Sequence, residues 1–196
     1  MTGAPPKTRL WLVRHAQPLV APGTCYGALD IPADPAATRA AAEHLAAALP
    51  PQSRVIHSTL QRCEQLALEL QALRPDLASK PDARLREMDF GAWEGRAWNT
   101  LAKGDIDAWT ADFAHHAPGG GEPLSHMLGR VARALQAARQ WSADHVLWQQ
   151  DSSRVELQAP QWDWSPACLL RMTLCIDQLR AGQVNLDFAP SEAAPD

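Results

Sequence analysis

The stretch LWLVRHAQP, residues 10–18, joins a short apolar run directly to an arginine and a histidine. The apolar run predicts a buried strand that ends at Val13, and the turn-forming residues after His15 predict that the chain leaves the sheet there. In an open α/β sheet, ligands bind at the carboxyl ends of the strands. The guanidinium of Arg14 offers donors for phosphate oxygens, and the imidazole of His15 can act as a nucleophile or carry a proton. Taken alone, such a pair is more often a surface arginine beside a half-buried histidine.

Predicted strands and helices alternate along the rest of the chain, which is typical of an α/β fold. The periodic segments are a strand over 8–14, a helix over 34–49, a strand at Arg54–His57, a helix from Ser58 or Thr59 to Leu73, helices over 105–113 and 122–141, and a strand at His145–Gln149, with weaker extended patterns over 85–88 and 169–176. This order predicts a three-layer αβα sandwich around a mostly parallel sheet. No linker or repeat divides the sequence, so we expect a single domain over 1–196, with 1–7 and 189–196 as frayed tails.

The composition restricts the classes of function. Apolar residues make up 46% of the 196 residues and charged residues 20%, with a net charge of −4, which is typical of a soluble protein without a basic face for nucleic acid. No apolar run approaches the ~20 residues of a membrane span, and the N-terminal residues lack the apolar stretch of a signal peptide. The four cysteines form no CxxC pair, which favours reduced thiols and a cytoplasmic location. No GxGxxG or P-loop motif supports a nucleotide-binding domain.

Three further motifs follow the first stretch in order, and together the four carry a family resemblance. They are STLQRC at residues 58–63, LREMDFGAWEG at 85–95 and GGGE at 119–122. The set resembles the histidine phosphatase superfamily, with its phosphoglycerate-mutase-like fold, over roughly residues 8–148. The stretch PGTCYG at 22–27, with Asp30, is similar to the small bacterial members of the α-ribazole phosphatase type.

The resemblance implies a chemistry that gives each of these residue types a role. Arg14 and Arg62 would neutralise the oxygens of a phosphate dianion. His15 would attack phosphorus with one ring nitrogen and form a phosphohistidine, while a hydrogen bond to a group such as a backbone carbonyl holds its other nitrogen. Glu87 would protonate the leaving oxygen and then activate water, and we expect burial and the bound dianion to raise its pKa. Because the arginines supply the positive charge, we expect no metal and no cofactor.

Less specific residues complete the predicted site. The candidates for contact with substrate are Gln17, Tyr26 and Glu122. We expect the substrate to be a small phosphorylated metabolite or inorganic phosphate, and the chain could form a homodimer. These assignments have ordinary structural alternatives: Arg62 could be an exposed helix residue and Glu87 a surface carboxylate. Glu94, before Gly95, also resembles a family position, and its alternative is a contact within a turn or at a helix cap.

One part of the family pattern is absent from the sequence. The family carries a second histidine after a later strand, where it donates to the transferred phosphoryl group. In this chain the corresponding position holds Asp151, and no histidine follows His145. An aspartate there would repel a phosphate dianion. Either the strand end and the histidine turn are deleted between about Trp148 and Val155, or the sequence has diverged and another residue substitutes.

The other histidines are weak substitutes for the absent one. His115, His116 and His126 lie near the glycine-rich stretch and could turn towards the site, whereas His44 and His57 are expected on a helix surface and in strand packing. Loss of one preorganised donor typically costs about 10²–10³ in rate. The sequence therefore leaves two functions open: a phosphomonoesterase that acts through a phosphohistidine, or a catalytically impaired member that binds phosphorylated ligands or a protein partner.

Overall fold

The computed structural model of the chain describes residues 9–139, 145–149 and 155–158. Its strands are β1 (Arg9–Val13), β2 (Arg54–His57), β3 (Ser79–Pro81), β4 (His145–Gln149) and β5 (Val155–Gln158). Its α-helices are α1 (Pro35–Ala48), α2 (Gln61–Leu73), α3 (Lys103–Ala111) and α4 (Leu124–Arg139), and short 3-10 helices lie between α2 and α4. The turn expected at Asp151, the extended segment over 169–176 and both predicted tails lie outside the described residues.

The five described strands form one sheet in the order β3-β2-β4-β1-β5. The strands β1, β4, β2 and β3 run parallel, and β5 runs antiparallel beside β1. Gln149 of β4 is level with Val13 of β1 on one side and with His57 of β2 on the other. Three parallel strands therefore end at one edge, where residues that follow them come together. The prediction of a mostly parallel sheet is confirmed.

Helices cover both faces of the sheet, because neighbouring residues of a strand point to opposite sides. On one face Leu12 and Ile56 are buried against α4, and on the other Val13 and Val55 are buried against α1 and α2. Burial of such aliphatic side chains, at about 25 cal/mol per Å² of apolar surface, holds the layers together. This arrangement is the predicted three-layer αβα sandwich. No helix in the described part of the chain is long and apolar enough to cross a membrane.

Local sequence signals set both ends of α1. The Asp34 carboxylate accepts a hydrogen bond from the Ala37 N–H at 2.7 Å, which satisfies a donor of the first turn. Pro35 occupies the first helical position, where its missing N–H costs nothing. The helix ends at its C-cap residue Leu49, directly before Pro50. The predicted bounds of 34–49 are therefore confirmed.

The start of α2 differs from the prediction. The helix begins at Gln61 and not after a cap at Ser58 or Thr59. The Ser58 hydroxyl accepts instead from the Leu60 N–H at 3.3 Å, and the Gln61 N–H donates to Oδ1 of Asp30 at 2.7 Å. The carboxylate of Asp30 thus caps α2 and connects its own loop to the helix that carries Arg62.

Short elements account for the other differences. The sequence does not predict β3 or β5. The three residues of β3 are too few to show a periodic pattern, and the four residues of β5 lack the adjacent apolar pair that marks β2. Pro81 is tolerated in β3 because this strand lies at the edge of the described sheet. The segment over 85–88 is not a strand; its first residue, Leu85, ends a 3-10 helix at Ala83–Leu85 that Asp82 caps. The helices α3 and α4 begin at Lys103 and Leu124, near the predicted starts at 105 and 122.

Candidate active site

His15 lies just beyond the end of β1 and is only 5% exposed. Its Nδ1 lies 2.6 Å from the backbone oxygen of Ala16. A carbonyl oxygen can only accept a hydrogen bond, so we assign the ring proton to Nδ1 and the lone pair to Nε2. The expected hydrogen bond to a backbone carbonyl is therefore present, and it leaves Nε2 as the atom that can attack an electrophile.

The guanidinium of Arg62, in the first turn of α2, faces this nitrogen. Its Nε donates to Nε2 of His15 at 3.1 Å, its Nη1 to the carbonyl oxygen of Leu29 at 2.9 Å, and its Nη2 to that of Gly27 at 2.6 Å. The ring of Tyr26 lies 5.5 Å from its Cζ. Arg62 is only 1% exposed, so it is not the exposed helix residue of the alternative interpretation. A buried cation whose described hydrogen-bond acceptors are all neutral is suited to receive an anion.

Glu94 orders the loop that holds Arg62. Its carboxylate accepts four backbone hydrogen bonds, from the N–H groups of Gly27 at 2.9 Å, Ala28 at 3.0 Å, Leu29 at 3.2 Å and Phe90 at 2.9 Å. The carbonyls of Gly27 and Leu29 are the two that accept from Arg62. Burial, and then the charge of Glu94, raises the pKa of the nearby Cys25 thiol to about 12. Only the contact with Phe90 is a turn contact of the kind in the alternative interpretation; the three others join Glu94 to the distant loop that holds Arg62.

Glu87 lies in an irregular segment between two short 3-10 helices and is half-buried. Its Oε1 accepts from the Met88 N–H at 3.0 Å. This segment touches the loop that holds Arg62, since a Cβ on Gly27 would lie 2.0 Å from the Met88 carbonyl oxygen. Only glycine permits so close an approach. The predicted acid and the second arginine are therefore attached to segments in direct contact.

Arg130 of α4 holds the segment of Glu87 from another side. Its guanidinium forms a bidentate ion pair with Glu122, with both N–O distances at 2.8 Å. It also donates to the carbonyl oxygens of Arg84, Arg86 and Glu87. Because both oxygens of Glu122 accept from Arg130, its expected contact with substrate stays a prediction. The sequence gives no sign of Arg130, since partners that are backbone carbonyls leave no pattern of side chains.

The remaining predicted site residues lie in the first loop. Arg14 is half-buried directly before His15, Gln17 is exposed two residues after it, and Tyr26 is half-buried beside Arg62. Their contacts with phosphate or substrate stay predictions. Among the residues that the structure describes, no three His, Cys, Asp or Glu side chains cluster as a metal site requires.

His44 and His57 lie where the sequence predicts them, on a helix surface and in strand packing. His44 is exposed on α1, and His57 is buried at the end of β2, with its Nδ1 bonded to a neighbouring carbonyl at 2.9 Å. His115 and His126 are exposed, His116 is half-buried, and His115 pairs with a nearby carboxylate. The described residues therefore assign no substitute for the second histidine of the family pattern, and Asp151 itself lies outside them.

Sequence comparison identifies one family. A model of the histidine phosphatase superfamily, branch 1, matches residues 10–148, which is more than half of the chain. A search of curated protein sequences gave no significant match. The matched range contains every residue of the site described above.

Solved structures share the fold over about three-quarters of the chain. The mycobacterial glucosyl-3-phosphoglycerate phosphatase is 26% identical with a TM-score of 0.60, and the match covers 74% of each chain. The protein TTHB049 of Thermus thermophilus is 33% identical with a TM-score of 0.57, over 73% of this chain and 78% of that one. An Escherichia coli K-12 protein, provisionally assigned as an alpha-ribazole-5′-P phosphatase, has a TM-score of 0.64 at 24% identity over 74% of each chain. The last likeness shows the fold alone.

Proposed function

Since this chain belongs to the histidine phosphatase superfamily, branch 1, we propose that it is a phosphatase that hydrolyses phosphate monoesters through His15. One observation carries the proposal: the buried guanidinium of Arg62 lies 3.1 Å from the His15 nitrogen that keeps its lone pair. Phosphoryl transfer to a histidine needs a nitrogen of fixed orientation and a positive charge beside it for the phosphate oxygens. Both are supplied by side chains that neighbouring backbone carbonyls hold in place.

In the first half of the proposed reaction, Nε2 of His15 attacks phosphorus in line with the leaving oxygen. A P–N bond forms and the P–O bond to the alcohol breaks, while Arg14 and Arg62 bind the non-bridging oxygens. The departing alkoxide takes a proton from the carboxyl of Glu87. Because Nδ1 keeps its proton, the phosphorylated ring is cationic, and the carbonyl of Ala16 stabilises that charge.

In the second half, water attacks phosphorus while the ionised Glu87 takes one of its protons. The P–N bond breaks, its electron pair returns to Nε2 of His15, and inorganic phosphate leaves. The two halves sum to the hydrolysis of one ester bond by one water molecule, with both side chains restored. The arginines supply the positive charge throughout, so the proposed sequence needs no redox step and no cofactor.

The substrate class that we propose is a small phosphorylated metabolite. Its support is the likeness to the mycobacterial glucosyl-3-phosphoglycerate phosphatase, whose substrate belongs to that class. Gln17 and Tyr26 lie in the loop after β1, near His15 and Arg62, and are the proposed contacts for the alcohol part. We also propose a cytoplasmic location, which the absence of CxxC pairs from the sequence supports.

The full chain, mixed with p-nitrophenyl phosphate and a panel of small phosphate monoesters, tests this function by release of phosphate. We expect turnover by the wild-type protein and a loss of about a thousandfold or more in His15→Ala. His44→Ala, a change at an exposed histidine of α1, is the matched control and should leave the rate unchanged. Enzyme quenched during turnover of labelled substrate should keep its label in alkali and lose it in acid, as a phosphohistidine does. Full activity of His15→Ala would exclude the proposal.

A second function is favoured by one position of the sequence, Asp151, which stands where the family carries its second histidine. Under this alternative the protein binds phosphorylated ligands through Arg14 and Arg62 without efficient turnover. Calorimetric titration with orthovanadate would then show binding that Arg62→Met weakens, and no monoester of the panel would be hydrolysed. Substantial turnover of any of them excludes the alternative.

A further inference from the structure

We propose that Arg130 and Glu122 form a positioning pair that sets the place of the Glu87 carboxyl; the inference rests on the proposed function and deepens it. The guanidinium of Arg130 donates to the carbonyl oxygen of Glu87 itself at 3.0 Å. It also donates to the carbonyl oxygen of Arg84 at 2.7 Å and to that of Arg86. One side chain of α4 therefore holds three backbone oxygens of the segment that carries the proposed acid.

The ion pair fixes the orientation of that guanidinium. Nε and Nη2 of Arg130 donate to the two carboxylate oxygens of Glu122, each at 2.8 Å. A guanidinium has five N–H donors, and here three carbonyl and two carboxylate oxygens accept from them. The two side chains are only 15% and 20% exposed, so solvent screens the pair weakly. The guanidinium cannot turn without breaking several of these hydrogen bonds together.

The backbone of this segment is not part of the sheet, although the Met88 side chain packs in the same buried cluster as Leu12 and Ile56. Residues 86–90 belong to no strand or helix. On its other side, the segment abuts Gly27, whose backbone lies so close to the Met88 carbonyl oxygen that no Cβ fits. It is therefore held between α4 and the loop that contacts Arg62. A displaced Arg130 would shift Glu87 relative to Arg62, and a displacement of about 1 Å in an active site can cost about 100-fold in rate.

A positioning role predicts a dependence on the leaving group. A p-nitrophenolate can depart without a proton because p-nitrophenol is a far stronger acid than an alkyl alcohol, whereas an alkoxide needs the proton of Glu87. Loss of the Arg130 contacts should therefore lower kcat for an alkyl phosphate far more than for p-nitrophenyl phosphate. A role in stability alone would lower both rates by the same factor, through the fraction of folded protein.

The experiment compares Arg130→Met, Arg130→Lys and Glu122→Gln on glycerol phosphate and p-nitrophenyl phosphate. In Arg130→Met we expect kcat for glycerol phosphate to fall by about 100-fold, with a change below about threefold for p-nitrophenyl phosphate and with KM nearly unchanged. Arg130→Lys and Glu122→Gln should also lower kcat more for glycerol phosphate than for p-nitrophenyl phosphate, but by a smaller factor. They provide the test if Arg130→Met does not fold. Arg39→Met, which removes an exposed arginine with carboxylate partners, is the matched control.

The outcomes separate the two proposals. Equal losses on the two substrates would overturn the positioning role and leave the phosphatase proposal intact. In a Glu87→Gln background, Arg130→Lys should add no further bias; a bias that persists there would also overturn the positioning role. Wild-type protein that hydrolyses neither substrate, or His15→Ala protein with full activity, would overturn the proposed function and the positioning role with it.

Discussion

The Nε of Arg62 donates to Nε2 of His15 at 3.1 Å, although 47 positions of sequence separate the two residues. The contact holds the imidazole by its second nitrogen, while the carbonyl of Ala16 holds the first. It also covers the atom that we propose as the nucleophile. An anionic phosphate oxygen is a stronger acceptor than a neutral imidazole, so substrate would draw the Arg62 donor away from Nε2. In the proposed function, binding of the phosphate would therefore also free the lone pair of Nε2 for attack.

Arg62→Lys should show whether the hydrogen bonds of the guanidinium matter in addition to its positive charge. A lysine keeps the charge but lacks the planar fork that reaches His15, Gly27 and Leu29 together. We expect kcat/KM for small monoesters to fall by about 10²–10³, and the affinity for orthovanadate to fall with it. Arg39→Lys, at an exposed position of α1, should change neither value. Unchanged kinetics in Arg62→Lys would contradict the proposed role.

Glu94→Gln should destabilise the loop over residues 27–29. A glutamine has one acceptor oxygen where the glutamate has two, and its NH₂ group would face backbone N–H groups. We expect the free energy of unfolding to fall by about 1–3 kcal/mol, measured by chemical denaturation. Glu69→Gln removes an ion pair with Arg39 that joins α2 to α1 at the surface, and it should cost less than about 1 kcal/mol. If the two substitutions lowered the free energy of unfolding equally, the four hydrogen bonds of Glu94 would contribute no more to stability than one surface ion pair.

Cys25 should remain a protonated thiol in the folded protein at neutral pH. Burial, and then the charge of Glu94, raises its pKa from 9.0 to about 12. Because the folded state has the higher pKa, the contribution of Cys25 to stability is complete below pH 9.0 and is lost as the pH rises towards about 12. Cys25→Ser should therefore flatten the alkaline decline of the unfolding free energy.

The reactivity of the same thiol provides a second measurement. Only the thiolate is an effective nucleophile, so we expect iodoacetamide to leave Cys25 unmodified in the native protein and to modify it after unfolding. Peptide mapping by mass spectrometry distinguishes this residue from the three other cysteines. Rapid modification of native Cys25 at neutral pH would contradict the burial that the structure shows.

Asp82→Asn should lower the free energy of unfolding at neutral pH, and this effect should disappear in acid. The hydrogen bond from Arg84 lowers the pKa of Asp82 below its ordinary value of 3.8, against the opposing effect of burial. A lowered pKa in the folded state contributes stability above pH 3.8, and that contribution is lost as the pH falls through the folded value. Unfolding free energies of the wild-type and Asp82→Asn proteins should therefore converge as the pH falls. A constant difference at every pH would exclude this linkage.

The sequence predicts structure well where the physical cause is local. Asp34, Pro35 and Pro50 mark both ends of α1 because capping and the missing proline N–H act within one turn. The apolar run before Arg14 likewise marks the strand that delivers His15 to the sheet edge. In each case the residues that form the signal are the residues that make the contact.

The sequence predicts structure less well where a residue contacts a partner that is far away in the sequence. The start of α2 depends on Asp30, which lies 31 positions before Gln61, so the nearby Ser58 gives a misleading signal. The importance of Arg130 is hidden for a related reason, because a backbone carbonyl is present at every residue and marks none. Nor can helical periodicity show that Arg62 is buried, since the loop that covers it is held by Glu94.

The peptide unit between Gly27 and Ala28 is bonded at both ends: its C=O accepts from Arg62 at 2.6 Å and its N–H donates to Glu94 at 3.0 Å. Its dipole, about 3.5 D, is thus aligned between a cation and an anion that do not touch. The two charges are thereby coupled through a peptide group and not through solvent. A direct salt bridge would occupy the guanidinium fork with a carboxylate. The interposed peptide lets the distant carboxylate offset the buried charge, so Arg62 remains competent to exchange one acceptor for another.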